Sequence, residues 1–494
     1  MADFDLAIIG GGINGAGIAR DAAGRGLKVL LVEQNDLASG ASSASSKLMD
    51  GALPGLAFGA LRRMRALITE REVLLRAAPH LVRPLRLVLP LNAARRSSLL
   101  TRLGLAIHDR IGRREILPRM RMLDLLSDEA GLPLRIAFHQ AYEYADCIGD
   151  DARLTIANAV DAAERGAVVR TRTRCVRAER GEEWRLVLNA RGQREVVGAR
   201  VLINAAGAWA ESLVETVLRG KPRGLLRPVK GSHIVVPRLY DHDRAYILPT
   251  RDRRAVFAVP FERDFTLIGT TATAFSGDPG AALPTLEEVD YLCEAANDYF
   301  RAPLLAADMA WSFAGVCARY AARPGRPPEP GRDYALVLDK RHGEAPLLTV
   351  YGGTLAMYRR IAEEALADLA HFFPRSRPWT AQVSLPGGDF AHDGMPALIE
   401  ATQQRWPFLT AEHARRLTRA YGTRVEQILQ RAARLDDLGL RFGADLTAAE
   451  VRYLMSKEWA QTADDVLWRR SKLGLRVSEA QRAVLDRFMA QGSG

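Results

Sequence analysis

The chain has 494 residues, 48% hydrophobic and 26% charged, a balance that excludes a disordered or fibrous protein and asks for two or three domains. Its net charge is +11 and its pI about 9.7, with arginine supplying most of the positive charge. Such an excess suits nucleic acid, an anionic membrane surface or an anionic substrate, or merely reflects Arg-rich base composition, and composition does not choose among them.

The first element in the chain is an apolar run, Phe4–Ile9, expected to be a buried strand. It leads into Gly10-Gly11-Gly12-Ile13-Asn14-Gly15, which fits G-x-G-x-x-G. Gly10 permits a tight turn, Gly12 lets backbone approach a pyrophosphate, and Gly15 lets helix and strand pack closely. The helix start offers free N–H groups and a positive dipole end to phosphate oxygens. Val29 lies in a second strand that ends at Glu33, placed to accept from a ribose diol, so a dinucleotide without a 2′-phosphate is expected.

Residues 37–48 then run LASGASSASSKL, a small, hydroxyl-rich loop able to wrap a flavin diphosphate, and this favours FAD over NAD. Ser42, Ser45, Ser46, Lys47 and Leu48 are its candidate cofactor contacts. Further on, 167–176 reads as one strand ending at Val176. A strand at 201–203 runs into Asn204-Ala205-Ala206-Gly207-Ala208-Trp209, whose Ala206, Gly207 and Trp209 are expected to return to the nucleotide. A strand at 347–351 enters Gly352-Gly353-Thr354-Leu355 and a helix over 356–371; its N-terminus can face a flavin ring, making Gly353, Thr354 and Leu355 candidates.

The four cysteines, Cys147, Cys175, Cys293 and Cys317, form no CxxC pair, so neither a disulfide framework nor a metal site is expected and a reducing, cytoplasmic compartment is the simplest reading. No secretory leader and no spanning apolar stretch of about 18 residues is expected. Residues 94–121 mix Leu and Ile with many arginines, which suits either an anionic bilayer or an ordinary packed helix. No aromatic-studded basic motif supports nucleic-acid binding.

The chain resembles the FAD-dependent, aerobic glycerol-3-phosphate dehydrogenases over almost its whole length. The resemblance rests on IIGGGINGAGIARDAAGRG (8–26), SSASSKL (42–48), EREVLLRAAPHL (70–81), DDARL (150–154), KGSHIVVP (230–237), IGTT (268–271), a GG-x-L-x-x-YR-x-x-AE frame (352–364) and ADDVLWRRSK (463–472). It implies an α/β FAD-binding domain of the glutathione-reductase-like Rossmann kind from 1–75, 145–225 and 330–385. An α+β substrate cap with an antiparallel sheet would use 76–144 and 226–329, and an all-α C-terminal domain 388–494. It also implies oxidation of sn-glycerol 3-phosphate to dihydroxyacetone phosphate, hydride transfer to flavin N5 and electron delivery to ubiquinone from the inner face of the cytoplasmic membrane. The partners implied are a small-molecule substrate, ubiquinone and an anionic membrane surface, with a homodimer left open. His233 and Arg359 match the family and, with Thr354, are the candidate catalytic residues.

The substrate pocket departs from that pattern. Asp50 stands at a family His position, Pro54 and Cys317 at Arg positions, Thr354 at a Lys position and Ala272 at an Asp position. Charge-assisted hydrogen bonds contribute about 1.5–3 kcal/mol each, so three lost cations weaken phosphate recognition severely. Three readings follow: relocated phosphate ligands, with Arg319, Arg62 and Arg63 as candidates; a different, less anionic substrate; or a non-catalytic FAD-binding protein. Cys317 is expected to be a small buried hydrophobe.

Overall fold

In β1 (Phe4–Ile9), Leu6 and Ile8 point into one apolar cluster and Ala7 and Ile9 into another, so both faces are covered and the run carries no polar alternation. The computed structural model describes residues 2–49, 61–92, 115–252, 254–322, 333–374 and 376–492. The strands that follow are β2 (Val29–Val32), β3 (Val82–Asn92), β4 (Arg121–Asp124), β5 (Phe138–Gly149), β6 (Val168–Arg170), β7 (Thr173–Arg180), β8 (Trp184–Ala190) and β9 (Gln193–Asn204). Then come β10 (Leu226–Pro237), β11 (Ala245–Pro249), β12 (Ala255–Phe261), β13 (Phe265–Gly269), β14 (Thr273–Ala274), β15 (Trp311–Tyr320), β16 (Tyr334–Arg341) and β17 (Glu344–Gly352).

One sheet has the order β16-β17-β9-β1-β2-β6, with β8 and β7 continuing from β9. Its centre is parallel, as in a Rossmann-like domain, and β16 closes one edge antiparallel. Helices Ile13–Gly24, Asp151–Glu164 and Tyr358–Asp368 bury their apolar stripes on one face, while the β7–β9 meander covers the other. The second sheet has the order β14-β10-β13-β12-β11-β3-β5-β4, and β15 pairs with the other edge of β10. Helix Leu286–Asn297, started by a Thr285/Glu288 capping box, packs Val289 and Leu292 against Ile234 and Val236. The C-terminal region is helical around a separate core that includes Trp406, Leu417, Phe442, Leu454 and Leu467.

The structure differs from the sequence reading in several places. Residues 167–176 are two strands, broken where Arg172 takes φ 53°, a turn that no residue type there announces. The helix expected over 356–371 begins as a 3-10 turn at Leu355–Met357 and becomes α-helical at Tyr358–Asp368. The second sheet is not purely antiparallel, since β3 and β11 run parallel through Ala245↔Leu87 and Tyr246↔Val88. Most of 94–121, the Pro/Gly-rich 321–331 loop, Asp50 and Pro54 lie outside the described residues. Among the described residues no helix is long and apolar enough to cross a membrane, and all four cysteines are free.

The helical region is held to the Rossmann-like domain by buried ion pairs. Arg470 Nη2 donates to Asp36 Oδ1 at 2.8 Å and to Glu458 O at 2.6 Å, with both charged side chains almost wholly buried. Arg172 reaches Asp465 at 2.7 Å, and Arg153 pairs with Glu458 while donating to Ala420 O at 2.9 Å. Removing one partner of such a pair strands the other charge in the interior. Asp36→Ala is expected to cost about 3–5 kcal/mol, read as a lower urea midpoint with an unchanged m-value.

Candidate active site

The glycines after β1 are fixed by backbone crowding. Gly10 has φ 119°, and a Cβ there would lie 2.5 Å from Ala205 O; one on Gly15 would lie 1.9 Å from Gly10 O. A Cβ on Gly12 would meet only Ser42 Oγ, at 3.1 Å, so that side of the turn is open. Gly12 is the N-cap and gives helix Ile13–Gly24 no side-chain cap, while Ser42 Oγ accepts from Ile13 N–H at 3.0 Å. Glu33 accepts from Gly11 N–H at 2.7 Å and Asn35 N–H at 2.8 Å, and its burial raises its carboxyl pKa.

Two distant segments close on this helix start. Asn14 Nδ2 donates to Gly352 O at 3.2 Å, Gly353 has φ 103°, and Leu355 is half-buried beside Thr354. Ala206 N–H donates to Asn204 Oδ1 at 3.2 Å, Gly207 takes φ 56°, and Trp209 donates to Asp278 at 3.0 Å. Val176 occupies a β-bulge in β7, whose first residue Thr173 bonds Glu33 O. Asn14 Oδ1 and Thr354 Oγ1 are buried without hydrogen-bond partners. A helix start whose N-cap brings no side chain, a Gly12 that only the Ser42 hydroxyl approaches and two orphaned polar atoms fit a dinucleotide laid across these three segments.

Lys47 and Ser45 belong to a different contact from the one the sequence suggests. Lys47 Nζ donates to Asp151 at 2.8 Å and to Ser43 O at 2.7 Å, and Ser45 Oγ donates to the same carboxylate at 2.6 Å. Lys47 is buried, and it fastens the small-residue loop to helix Asp151–Glu164. Burial opposes both charges, but mutual attraction still holds the Asp151 carboxyl below its usual pKa. Ser46 is half-buried, and Leu48 is buried against Phe313 and Ile148. Asp151, in the DDARL segment, escapes sequence reading because its partner lies 104 residues away.

On the cap side, β10 and β15 pair His233↔Phe313, Gly231↔Gly315, Val229↔Cys317 and Arg227↔Arg319. Opposed residues of an antiparallel pair share a face, and alternate residues repeat it. A Cβ on Gly315 would strike Ala44 Cβ at 2.8 Å, so this face rests on the small-residue loop 37–48. His233 stacks on Phe313 with centroids 4.8 Å apart, and Lys47 Nζ lies 5.2 Å from the Phe313 ring centre. Burial, reinforced by Lys47, pushes the His233 pKa down to about 3. Neither imidazole nitrogen has a hydrogen-bond partner of good geometry, the Gly231 backbone offering only a weak one. The intervening Lys230 and Ser232 point the other way, to Glu288 at 2.9 and 2.8 Å. KGSHIVVP thus splits by strand alternation into one face carrying Gly231 and His233 and another carrying Lys230 and Ser232, a signal present in the sequence.

Two expectations need correction. Arg359 touches no open cleft: Nε and Nη2 donate to Glu70 at 2.7 and 2.6 Å, Nη1 donates to Thr380 at 3.1 Å and pairs with Glu363, and the residue is 6% exposed. Its donors are consumed by protein, which removes it from the catalytic set. Cys317 is exposed rather than buried, and desolvation by the surrounding protein pushes its thiol pKa up. Arg63 pairs with Asp333.

A Rossmann-type glycine turn on the first sheet and a buried, neutral histidine on the second are the two halves of the site. Residues 5–359 match the family model FAD dependent oxidoreductase, and 378–491 match the C-terminal domain of alpha-glycerophosphate oxidase. The chain is 46% identical over 489 residues to the glycerol-3-phosphate dehydrogenase of Pseudomonas aeruginosa, covering 98% of this chain and 95% of that one. It is 42% identical over 485 residues to the D-erythritol 1-phosphate dehydrogenase of Brucella abortus, covering 97% and 96%. The X-ray structure of the Bacillus halodurans glycerol-3-phosphate dehydrogenase complexed with FAD superposes with a TM-score of 0.78 at 28% identity, covering 99% and 90%. This chain belongs to the glycerol-3-phosphate dehydrogenase family of FAD-dependent oxidoreductases, and its cofactor is FAD.

Arg359→Gln leaves Glu70 buried and unpaired. It is expected to cost about 3–5 kcal/mol in thermal or urea unfolding while the flavin-reduction rate of the folded fraction stays within a few-fold of the parent. A selective collapse of that rate at unchanged stability would restore a catalytic role.

Proposed function

We propose that the chain oxidises a secondary hydroxyl of a polyol phosphate to a ketone, with His233 receiving the hydroxyl proton. The observation that carries this is the His233 imidazole: neutral, buried and with no hydrogen-bond partner of good geometry on its ring nitrogens, on the face that rests on the 37–48 loop. FAD, when bound, supplies the two-electron acceptor for the hydride. Phe313 fixes the imidazole plane by stacking, and the Lys47 charge disfavours its protonation before substrate arrives. Gly10, Gly12, Asn14, Gly15, Glu33, Ser42, Val176, Ala206, Gly207, Trp209, Gly353, Thr354 and Leu355 are proposed to line the cofactor, Thr354 turning its free hydroxyl toward the reacting end. Ser45, Ser46, Lys47 and Leu48 shape the loop that holds it.

The substrate class is supported by the two relatives, whose names give two polyol phosphates as substrates. We assign the sheet containing β1 to the FAD domain and the sheet containing β10 to the substrate cap. Electron delivery to a membrane quinone rests on the family resemblance and on the +11 charge, which suits an anionic bilayer surface.

His233→Ala is expected to retain stoichiometric FAD while anaerobic flavin reduction by substrate slows about 10²–10⁴-fold. Unchanged reduction would remove His233 from the chemistry. Because the folded state keeps His233 neutral down to about pH 3, kcat/KM should show no acid limb near 6.5 from this group. The unfolded imidazole titrates near 6.5, so His233 lowers stability progressively as pH falls from about 6.5 towards 3, by about 1.4 kcal/mol per pH unit. His233→Ala should flatten that slope by one proton.

A further inference from the structure

Six residues along β10 and β15 from the His233↔Phe313 pair, Arg227 and Arg319 stand directly opposite each other. Strand alternation puts both on the face that carries His233. Like charges directly opposed across two strands destabilise the pair. Arg227 donates to Leu226 O at 3.0 Å, and among the described residues neither guanidinium pairs with a carboxylate. Other arginines between distant segments are neutralised, among them Arg63 by Asp333 and Arg359 by Glu70. Between this dication and His233, β10 and β15 present on this face Val229, Gly231, Gly315 and Cys317, all uncharged, with Cys317 exposed. The face is therefore a track with a neutral base at one end, an uncompensated double positive charge at the other and short side chains between.

We propose that Arg319, with Arg227, is the anion clamp for the substrate phosphate, and that its position selects polyol phosphates of four or more carbons over glycerol 3-phosphate. The inference rests on the function proposed above and deepens it. Arg319 lies one face-step, roughly 6.6 Å, further from His233 along the strand than position 317. An arginine side chain recovers part of that distance by reaching back, and a longer carbon chain spans the rest. Guanidinium forks bind phosphate oxygens bidentately, so the clamp fixes the phosphate while the hydroxyl to be oxidised extends towards His233.

The test uses the FAD-loaded full chain with terminal phosphates of three-, four-, five- and six-carbon polyols, the first being sn-glycerol 3-phosphate. The expected result is a kcat/KM at least about tenfold higher for a longer member than for the three-carbon one. Arg319→Ala should lose about 10²-fold in kcat/KM for that member, mainly through KM, and Arg319→Lys should recover part of it. Equal kcat/KM for all chain lengths, or an Arg319→Ala protein indistinguishable from the parent, overturns the clamp. A second readout separates this failure from that of the parent reading: inorganic phosphate alone, titrated against the oxidised flavin spectrum. If no polyol phosphate reduces the flavin, the proposed function falls. Phosphate binding lost in Arg319→Ala then still supports the clamp, and binding that is absent or unchanged overturns it.

Discussion

Everything at the site depends on a close approach of backbone at the start of helix Ile13–Gly24. There Gly10 leaves no room for a Cβ beside Ala205, and Asn14 reaches across to Gly352, 338 residues away. The three parallel strands β1, β9 and β17 deliver their C-terminal ends to one place, where such sheets bind ligands. The strands of the second sheet lie in the connections between those strands, so the same closure that builds the glycine turn also places β10 and β15. Gly315 against Ala44 is the second approach of this kind, and it sets how closely the cap face sits on the cofactor loop.

Much of this was legible in the sequence because it depends on local chemistry. A fully apolar six-residue run before three glycines admits few alternatives to a strand entering a phosphate-binding turn, and β1 buries both faces as that run requires. The helical C-terminal region was also expected, through the family resemblance, and it is helical around its own core. The hidden parts depend on pairing across distance. Lys47 and Ser45 look like phosphate ligands until Asp151 is placed beside them, and Arg359 looks available until Glu70 takes its guanidinium. An acid in a helical segment reads as solvated surface, and only the fold reveals that Asp151 and Glu70 are buried. The break at Arg172 was invisible for another reason: a left-handed turn normally advertises itself with Gly or Asn, and here it does not.

The arginine-rich composition also acquires a physical role. Arg20–Asp161, Arg71–Asp146, Arg153–Glu458, Arg359–Glu70 and Arg470–Asp36 are buried pairs joining segments far apart in the chain. Guanidinium suits such places because it is less strongly hydrated than ammonium and meets a carboxylate with a planar fork. Each pair adds little net stability relative to apolar packing of the same volume, but it penalises misdocking, since a displaced partner leaves a bare interior charge.

The Asp36–Arg470 contact has a consequence beyond docking. Asp36 lies three residues past Glu33, on the segment whose carboxylate organises Gly11 and Asn35, and Arg172, paired with Asp465, lies beside the same segment. The helical region is therefore anchored on the same short segment that carries Glu33, and its docking is thermodynamically linked to whatever that segment binds. Whatever free energy its docking adds to FAD affinity, FAD must return in equal measure to the docking. The apoprotein should then open first at this seam, and the flavin should act as a lock on the helical region.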